Sequence, residues 1–530
     1  MSKAAFRGLV PLVLLSALLL RLPAIGLRPM HHDEANQAVK FGRLLETGEY
    51  RYDPADHHGP TLYYLSWILA KVEGRATLAS LDEAGLRLLP ALFGAATVLL
   101  LLGFAGAVGR GAALAAAALV ALSPAFGYYS RFYIQESIFV FFIAAFGLAL
   151  RAYVRRPSAG RAAAAGLAAG LMFATKETSL IVFSALAAAL LLTRAILGRA
   201  EGAPPIKPAA LTWHGVAGLG AAAGISALFF SSFFRHPRGV LDAVLAIPGY
   251  LAKSGDPGFH AHPLGYYFSL LTYSKSGGLV WSESLILALA CLGIIAAIRT
   301  RERFRVAAAI ATLLAAAVFS LISYKTPWNA LPFLLGFALL AGIGVDFLFR
   351  ALRKAPLRAA AGILLGAGLL HLGWQSAQAN FRYPADPRNP YVYAQTLPDY
   401  EKLMRRLDEI TPFLPGREAA LIKVVCGPYE TWPLPWSLRR RPNVGYWTDA
   451  ALAGMGTGAA SGAPVHAAAA SPLAPETAPV VIASEDQAAK LRPALEGAYH
   501  EEFYGLRPDV LLTLFVADGP WQRFLGERRR

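Results

Sequence analysis

Residues 8–35 read GLVPLVLLSALLLRLPAIGLRPMHHDEA: an uncharged apolar run and, a short turn later, two histidines and two acids. The run is of the length that decides a fold class. A helix rises about 1.5 Å per residue, so about 20 apolar residues cross the hydrocarbon of a bilayer. Lys3 and Arg7 precede the run, as in a signal peptide. Arg21, Pro23 and Arg28 follow where a small-residue cleavage site would stand, so the segment reads as an uncleaved first helix.

The rest of the chain repeats the pattern. Its 530 residues are 55% hydrophobic and only 16% charged, with a mean hydropathy of +0.44. Soluble domains carry about 25% charged residues, so long stretches here carry none. Apolar segments fall at 6–27, 86–108, 111–130, 134–153, 162–176, 178–196, 213–234, 280–298, 305–323, 329–349 and 357–375. The fifth and sixth are divided at Lys176-Glu177, because two charges in mid-membrane would be costly and a surface turn is not. The expected fold class is mainly α: a polytopic transmembrane bundle of about 11 helices with a small C-terminal α/β domain outside the membrane.

Net charge is +16. Nucleic-acid binding is excluded as its explanation, because the basic residues sit in short loops between apolar segments. Topology accounts for them. With the N-terminus in the cytoplasm, the cytoplasmic loops hold Arg110, then Arg151, Arg155, Arg156 and Arg161. Later ones hold Arg299, Arg301, Arg303 and Arg305, then Arg350, Arg353, Lys354 and Arg358. The opposite loops carry the acids, histidines and aromatics. The expectation is a multi-pass protein of the cell (inner or plasma) membrane, with the C-terminal domain on the non-cytoplasmic side.

Residues 1–375 form the expected membrane domain, with long outside loops at 28–85 and 235–279. Residues 376–530 form a soluble domain. Its strand-length runs are 419–425, 479–483 and 510–516, its helical pieces 398–410 and 486–497. Residues 450–478, rich in Ala, Gly, Ser and Pro, are expected to be a flexible loop. Cys291 and Cys426 lie in different parts of the chain and imply no disulfide framework.

Within the outside loops the chemistry is concentrated. In Met30-His31-His32-Asp33-Glu34-Ala35 a carboxylate can serve as general base toward a hydroxyl, or Asp33 can simply cap the next helix. In the short turn Ser130 to Glu136, Glu136 can help Asp33 hold a metal or pair with Arg131. Lys325, in Tyr324-Lys325-Thr326-Pro327-Trp328, suits a phosphate ligand or snorkels at a helix end, and Lys176 has the same two readings. His57, His58, His260 and His262 share that face, and His262 is the histidine considered for a divalent metal with Asp33 and Glu136. Tyr63, Tyr64, Trp67, Ile68 and Lys71 are spaced for an interfacial helix.

An acidic pair directly after the first helix, Asp33-Glu34, resembles the signature of the GT-C glycosyltransferase superfamily. Its members include protein O-mannosyltransferases, aminoarabinose lipid A transferases and oligosaccharyltransferases. His58-Gly59-Pro60-Thr61-Leu62 resembles the segment before their interfacial helix, Arg131 with Glu136 their second-loop turn, and Lys325-Thr326-Pro327-Trp328 a late lysine turn. The wording His32-Asp33-Glu34-Ala35, His58-Gly59-Pro60 and His262-Pro263 is similar to a prokaryotic flippase-activity-associated glycosylation subgroup. The resemblance covers the membrane region. No Trp-Trp-Asp motif follows in the C-terminal region, which argues against transfer of whole oligosaccharides to asparagine.

The resemblance implies transfer of a sugar from a polyprenyl-phosphate-type donor to a lipid, glycan or protein acceptor on the non-cytoplasmic face. Asp33 would be catalytic base or metal ligand, with Glu34 and Glu136 in support. Lys325, Arg131 and Lys176 would bind donor phosphate, and His58, Tyr63 and Trp328 would face substrate. A divalent metal held by Asp33, Glu136 and His262 is the one cofactor considered. The competing readings are a non-catalytic handler of lipid-linked sugars and an ion-coupled transporter. The transporter predicts acids at helix centres, whereas Glu283 and Asp346 lie near segment ends.

Overall fold

The computed structural model of the chain describes residues 1–54, 58–198, 208–253, 255, 258, 260–449 and 478–528. The expected flexible loop therefore lies, but for Ala478, outside the described residues. The chain divides into two compact units. The first holds Met1–Leu27, Glu49–Leu69 and Ala84–Tyr393; the second holds Arg28–Gly48, Ala70–Glu83 and Ala394–Arg530. Two pieces of the long first loop thus group with the C-terminal region, and the boundary late in the chain falls at 393/394 rather than 375/376.

Among the described residues of the first unit, eight helices are long and apolar enough to cross a membrane: Lys3–Arg21, Glu83–Val108, Glu136–Arg155, Ser179–Leu197, Ala209–Phe230, Arg303–Leu321, Pro327–Ala351 and Ala355–Arg382. Three shorter apolar helices, Arg110–Leu122, Ala159–Phe173 and Ser284–Thr300, join them. Together they fall one for one on the apolar segments of the sequence, and the chain is an integral membrane protein. The short helices are rich in Ala and Gly for a packing reason. A Cβ on Gly166 would overlap the carbonyl of Gly218, and one on Gly342 the carbonyl of Ala112. In a bilayer, helices associate through such close backbone approach, because lipid is as apolar as leucine.

Two buried arginines tie the first helix into this bundle. Arg21 donates to the carbonyls of Val120 and Ala121 at the end of Arg110–Leu122, at 3.1 and 3.0 Å. Arg131 donates to the carbonyls of Arg21, Pro23 and Ala24, at 2.9, 2.7 and 2.6 Å, just past the end of the first helix. Arg21 thereby satisfies carbonyls that a helix end leaves unpaired, and Arg131 binds carbonyls at and just past the end of the first helix. A small hairpin, β1 (Ser274–Ser276) and β2 (Leu279–Trp281), turns on Gly277 and Gly278, both at positive φ as a tight hairpin requires.

The second unit is built on a five-stranded sheet of order β4-β3-β5-β7-β6, with β3 Ile422–Val425, β4 Val444–Trp447, β5 Val480–Ser484, β6 Tyr499–Arg507 and β7 Val510–Ala517. β4, β3 and β5 run parallel; β7 and β6 are antiparallel. Alternate side chains feed two cores. Val424, Ile482 and Leu514 face Leu403, Leu407 and Phe524 on helices Pro398–Ile410 and Asp518–Arg528. Val425, Val481 and Phe515 face Ala488 and Leu491 on Glu485–Leu495. That alternation is the period of a strand covered on both faces.

Candidate functional site

Helix His32–Thr47 belongs to the second unit, and its first turn carries the acidic motif. His31 is its N-cap, and a capping box is complete: the His31 ring accepts from the Asp33 N–H at 3.0 Å, while Glu34 accepts from the His31 N–H at 3.0 Å. Asp33 is therefore not the cap. Glu34 is fully buried and faces Arg28 at 3.3 Å, so it supports the turn. The Asp33 side chain remains 41% exposed. His31 Nδ1 approaches it at 3.8 Å, but that nitrogen already accepts a hydrogen bond and so bears no proton to share.

The motif is held from the C-terminal region of the same unit. Gln395 donates to the Pro29 carbonyl at 2.9 Å and Thr396 to the Met30 carbonyl at 2.7 Å. On the end of β6, Arg507 reaches His32 Nδ1 at 3.0 Å and the Tyr429 carbonyl at 2.7 Å. An arginine can only donate, so His32 Nδ1 accepts and its ring proton sits on Nε2. Burial lowers the Arg507 guanidinium below its usual range, with Glu430 and Asp33 pulling the other way.

In the first unit several turns between helices meet around a second polar group. Lys176 binds Glu136 at 2.5 Å and the Asn329 side-chain oxygen at 3.0 Å, and both charged groups are buried. Glu136 Oε2 is buried, and among the described residues no hydrogen-bond partner reaches it. Beside Lys176, Glu177 binds His58 Nδ1 at 2.9 Å. Burial alone would raise the Glu177 carboxyl, but His58 and Lys176 outweigh it and hold it at about 2. Burial likewise would lower His58, and Glu177 raises it past its ordinary value. Gly59 and Thr61 donate backbone bonds to the carbonyls of Thr175 and Ala174, both at 3.2 Å. A Cβ on Gly59 would overlap the Ala174 carbonyl, which is why glycine stands between His58 and Pro60.

Lys325 is buried and donates to the His262 carbonyl at 2.8 Å. No carboxylate among the described residues pairs with it, and burial lowers it below the usual lysine range. The His262 ring stacks on Tyr266 with centroids 4.2 Å apart and meets the Tyr393 hydroxyl at 3.4 Å.

These placements revise several expectations. The Arg131–Glu136 pair is not made: Arg131 serves helix-end carbonyls and Glu136 takes Lys176. Tyr63 is fully buried against Tyr50, with centroids 4.9 Å apart, and is packing. Trp328 is wedged edge-on between Tyr129 and Tyr393 at 5.9 and 5.7 Å. Lys176 joins Glu136 and Asn329, its chain neighbour Glu177 joins His58, and Lys325, four residues before Asn329, joins the His262 carbonyl, all within one unit. Asn329 and Glu177 went unnoticed as partners. The only signal for Asn329 was its position directly after Trp328.

Among the described residues no group of three or more His, Cys, Asp or Glu is arranged to hold a metal ion. The donor chemistry agrees for the first unit. Glu136 is neutralised by an ammonium, and His262 is lowered by burial and by the Lys325 charge beside it. Within the first unit, Glu136 and His262 therefore offer little as a ligand pair for a divalent cation.

The family model for dolichyl-phosphate-mannose-protein mannosyltransferases matches residues 57–201, which include His58, Glu136, Lys176 and Glu177. No curated protein matches the chain at the sequence level. Solved structures do match. ArnT from Cupriavidus metallidurans, bound to undecaprenyl phosphate, superposes with a TM-score of 0.61 at 16% identity, over 96% of this chain and 98% of that one. AglB, an oligosaccharyltransferase from Archaeoglobus fulgidus in complex with an inhibitory peptide and a dolichol-phosphate, gives 0.55 at 14%, over 94% and 73%. The Archaeoglobus fulgidus oligosaccharyltransferase in complex with Zn and sulfate gives 0.51 at 14%, over 94% and 72%. From the first helix through the C-terminal sheet, this chain has the fold of the GT-C membrane glycosyltransferases.

Proposed function

We propose that the chain is a membrane glycosyltransferase moving a sugar from a polyprenyl-phosphate donor to an acceptor hydroxyl on the non-cytoplasmic face, with Asp33 as the base. One observation carries the assignment of the base. At the head of helix His32–Thr47 the cap and the ion pair are discharged by His31 and Glu34, while the Asp33 carboxylate stays partly exposed. A partly exposed carboxylate in a first turn held by the C-terminal region is suited to proton transfer. The donor class draws support from ArnT and AglB, solved with undecaprenyl phosphate and a dolichol-phosphate. The alternation of basic and non-basic loops supports a cytoplasmic N-terminus.

In this reading Asp33 takes the acceptor proton as the acceptor oxygen bonds to the anomeric carbon. The carbon–oxygen bond to phosphate breaks, and polyprenyl phosphate leaves with the electron pair. Lys325, a buried ammonium with no carboxylate partner among the described residues, is the cation whose chemistry suits that negative charge. Lys176 and Arg131 are already engaged and serve as supports.

The test is purified protein in lipid nanodiscs with a panel of polyprenyl-phosphate sugars, scored for transfer and hydrolysis with and without chelator. Asp33→Asn should abolish turnover while donor binding and thermal stability stay near wild type. Retained transfer would remove Asp33 from the chemistry. Lys325 alone also fits a protein that binds lipid-linked sugar without reacting it. In that case Lys325→Ala destroys cellular function and Asp33→Asn spares it.

A further inference from the structure

The parallel part of the C-terminal sheet contains a change of direction. β3 is followed in the chain by β4 on one side and then by β5 on the other. In open α/β sheets, the place where successive connections leave in opposite directions opens a crevice at the carboxyl ends of the strands, where ligands bind. Here that crevice lies beyond Val425 and Ser484. The loop leaving it is Gly427-Pro428-Tyr429-Glu430-Thr431-Trp432-Pro433.

Hydrogen bonds pin this loop, in which Pro428 and Tyr429 are exposed. Gly427 N–H reaches Ser484 Oγ at 3.4 Å, across the crevice from β3 to β5. The Gly427 carbonyl accepts from Glu430 N–H at 3.0 Å and from the Thr431 hydroxyl at 3.0 Å. Arg507 fixes the Tyr429 carbonyl with one nitrogen and His32 with the other. Trp432 lies edge-on to His32 with centroids 6.4 Å apart. One guanidinium thus joins the loop to the residue next to Asp33.

What the loop presents is specific. Tyr429 is 78% exposed although its carbonyl is pinned. The Glu430 carboxylate lies back over Gly427, where a Cβ would come within 3.0 Å of Oε2. A fixed, exposed aromatic face costs little conformational entropy to use in binding. With the Glu430 carboxylate next in the chain, it matches a sugar ring, which offers one C–H face for stacking and hydroxyls for hydrogen bonds.

We infer that the loop Gly427–Pro433, with Tyr429 as stacking platform and Glu430 as hydroxyl acceptor, binds the glycan acceptor beside Asp33, and that Arg507 positions it there. The inference rests on the reading of Asp33 as base, but a binding measurement separates the two. The full-length protein in detergent is titrated with methyl glycosides and short neutral oligosaccharides, with ligand-observed NMR as the readout. Wild type and Asp33→Asn should bind the same glycan equally well. Tyr429→Ala should weaken it at least tenfold with an unchanged unfolding temperature, because the ring is exposed. In the transfer assay Tyr429→Ala should raise KM for the acceptor and leave KM for the donor alone. Arg507→Gln should lower kcat as well, with Arg507→Lys restoring part of it. Equal glycan binding by wild type and Tyr429→Ala would overturn the inference, as would wild-type binding of a peptide panel in place of every glycan. Loss of transfer in Asp33→Asn with glycan binding intact supports both readings, whereas transfer retained there defeats the base and leaves the acceptor site standing.

Discussion

Two turns of the first unit each deliver a buried lysine, and the lysines are treated in opposite ways. Lys176, between helices Ala159–Phe173 and Ser179–Leu197, has Glu136 at 2.5 Å and Asn329 at 3.0 Å. Lys325, in the turn that also supplies Asn329, has the His262 carbonyl at 2.8 Å and no carboxylate among the described residues. Removing an ammonium from water costs several kcal/mol, which a paired carboxylate offsets and a single carbonyl does not. The fold tolerates that cost at Lys325, and burial duly lowers it. In the proposed mechanism Lys176 is the supporting cation, and Lys325, with no counter-charge among the described residues, is the one that meets an anionic ligand.

The strongest way to break this contrast is to truncate each lysine. Lys325→Ala should reduce transfer by about 100-fold or more, the scale for losing a preorganised charge opposite a developing anion. Its unfolding temperature should hold or rise, because an uncompensated charge has gone. A large loss of stability with normal turnover per folded molecule would make Lys325 structural instead.

Lys176→Met should do the reverse. It strands the buried Glu136 carboxylate, at a cost of about 3–5 kcal/mol. The double variant Glu136→Gln/Lys176→Met should recover most of that stability, with transfer within about tenfold of wild type. Thermal unfolding in detergent measures the first outcome and nanodisc turnover the second. Transfer lost in a stable double variant would promote Glu136 from support to chemistry, as its second oxygen, unpartnered among the described residues, would allow.

The two turns also show what a sequence can disclose. That Lys176-Glu177 breaks a hydrophobic run, and that Lys325 stands beside Pro327, are local facts, and they placed both lysines at helix ends correctly. Which lysine meets Glu136 is decided by helices 40 residues apart in the chain, and nothing in the local pattern encodes it. The same limit governs the sheet. β3, β5 and β7 were legible as apolar runs because they are central. β4 and β6 are the edges, and β6 carries His500, Glu501, Glu502 and Arg507, charges of the kind that keep edges from pairing with other chains. At Asp33 the sequence offered capping or catalysis. The geometry removes the first, because His31 caps the helix, and it turns Glu34 to Arg28.

The smallest effect comes from the neighbour of Lys176. The His58–Glu177 pair joins the segment before helix Thr61–Val72 to that turn, and its two groups favour opposite limits of pH. Glu177 is held down at about 2, so its contribution exists above the ordinary glutamate value of ~4.3 and fades as pH falls toward 2. His58 is raised, so its contribution is complete below ~6.5 and fades as pH climbs through its raised value. The pair therefore stabilises most between about pH 4.5 and 6.5. His58→Gln keeps a hydrogen-bond donor and removes the charge. The difference in unfolding temperature between wild type and this variant should peak near pH 5.5 at about 2 °C, kept small by the partial exposure of the histidine ring. It should shrink toward pH 3 and toward pH 9. A difference that is flat across that range would mean that His58 holds Glu177 as a neutral donor, and that the charge balancing Glu177 is the ammonium of Lys176, drawing the two neighbouring carboxylates onto one cation.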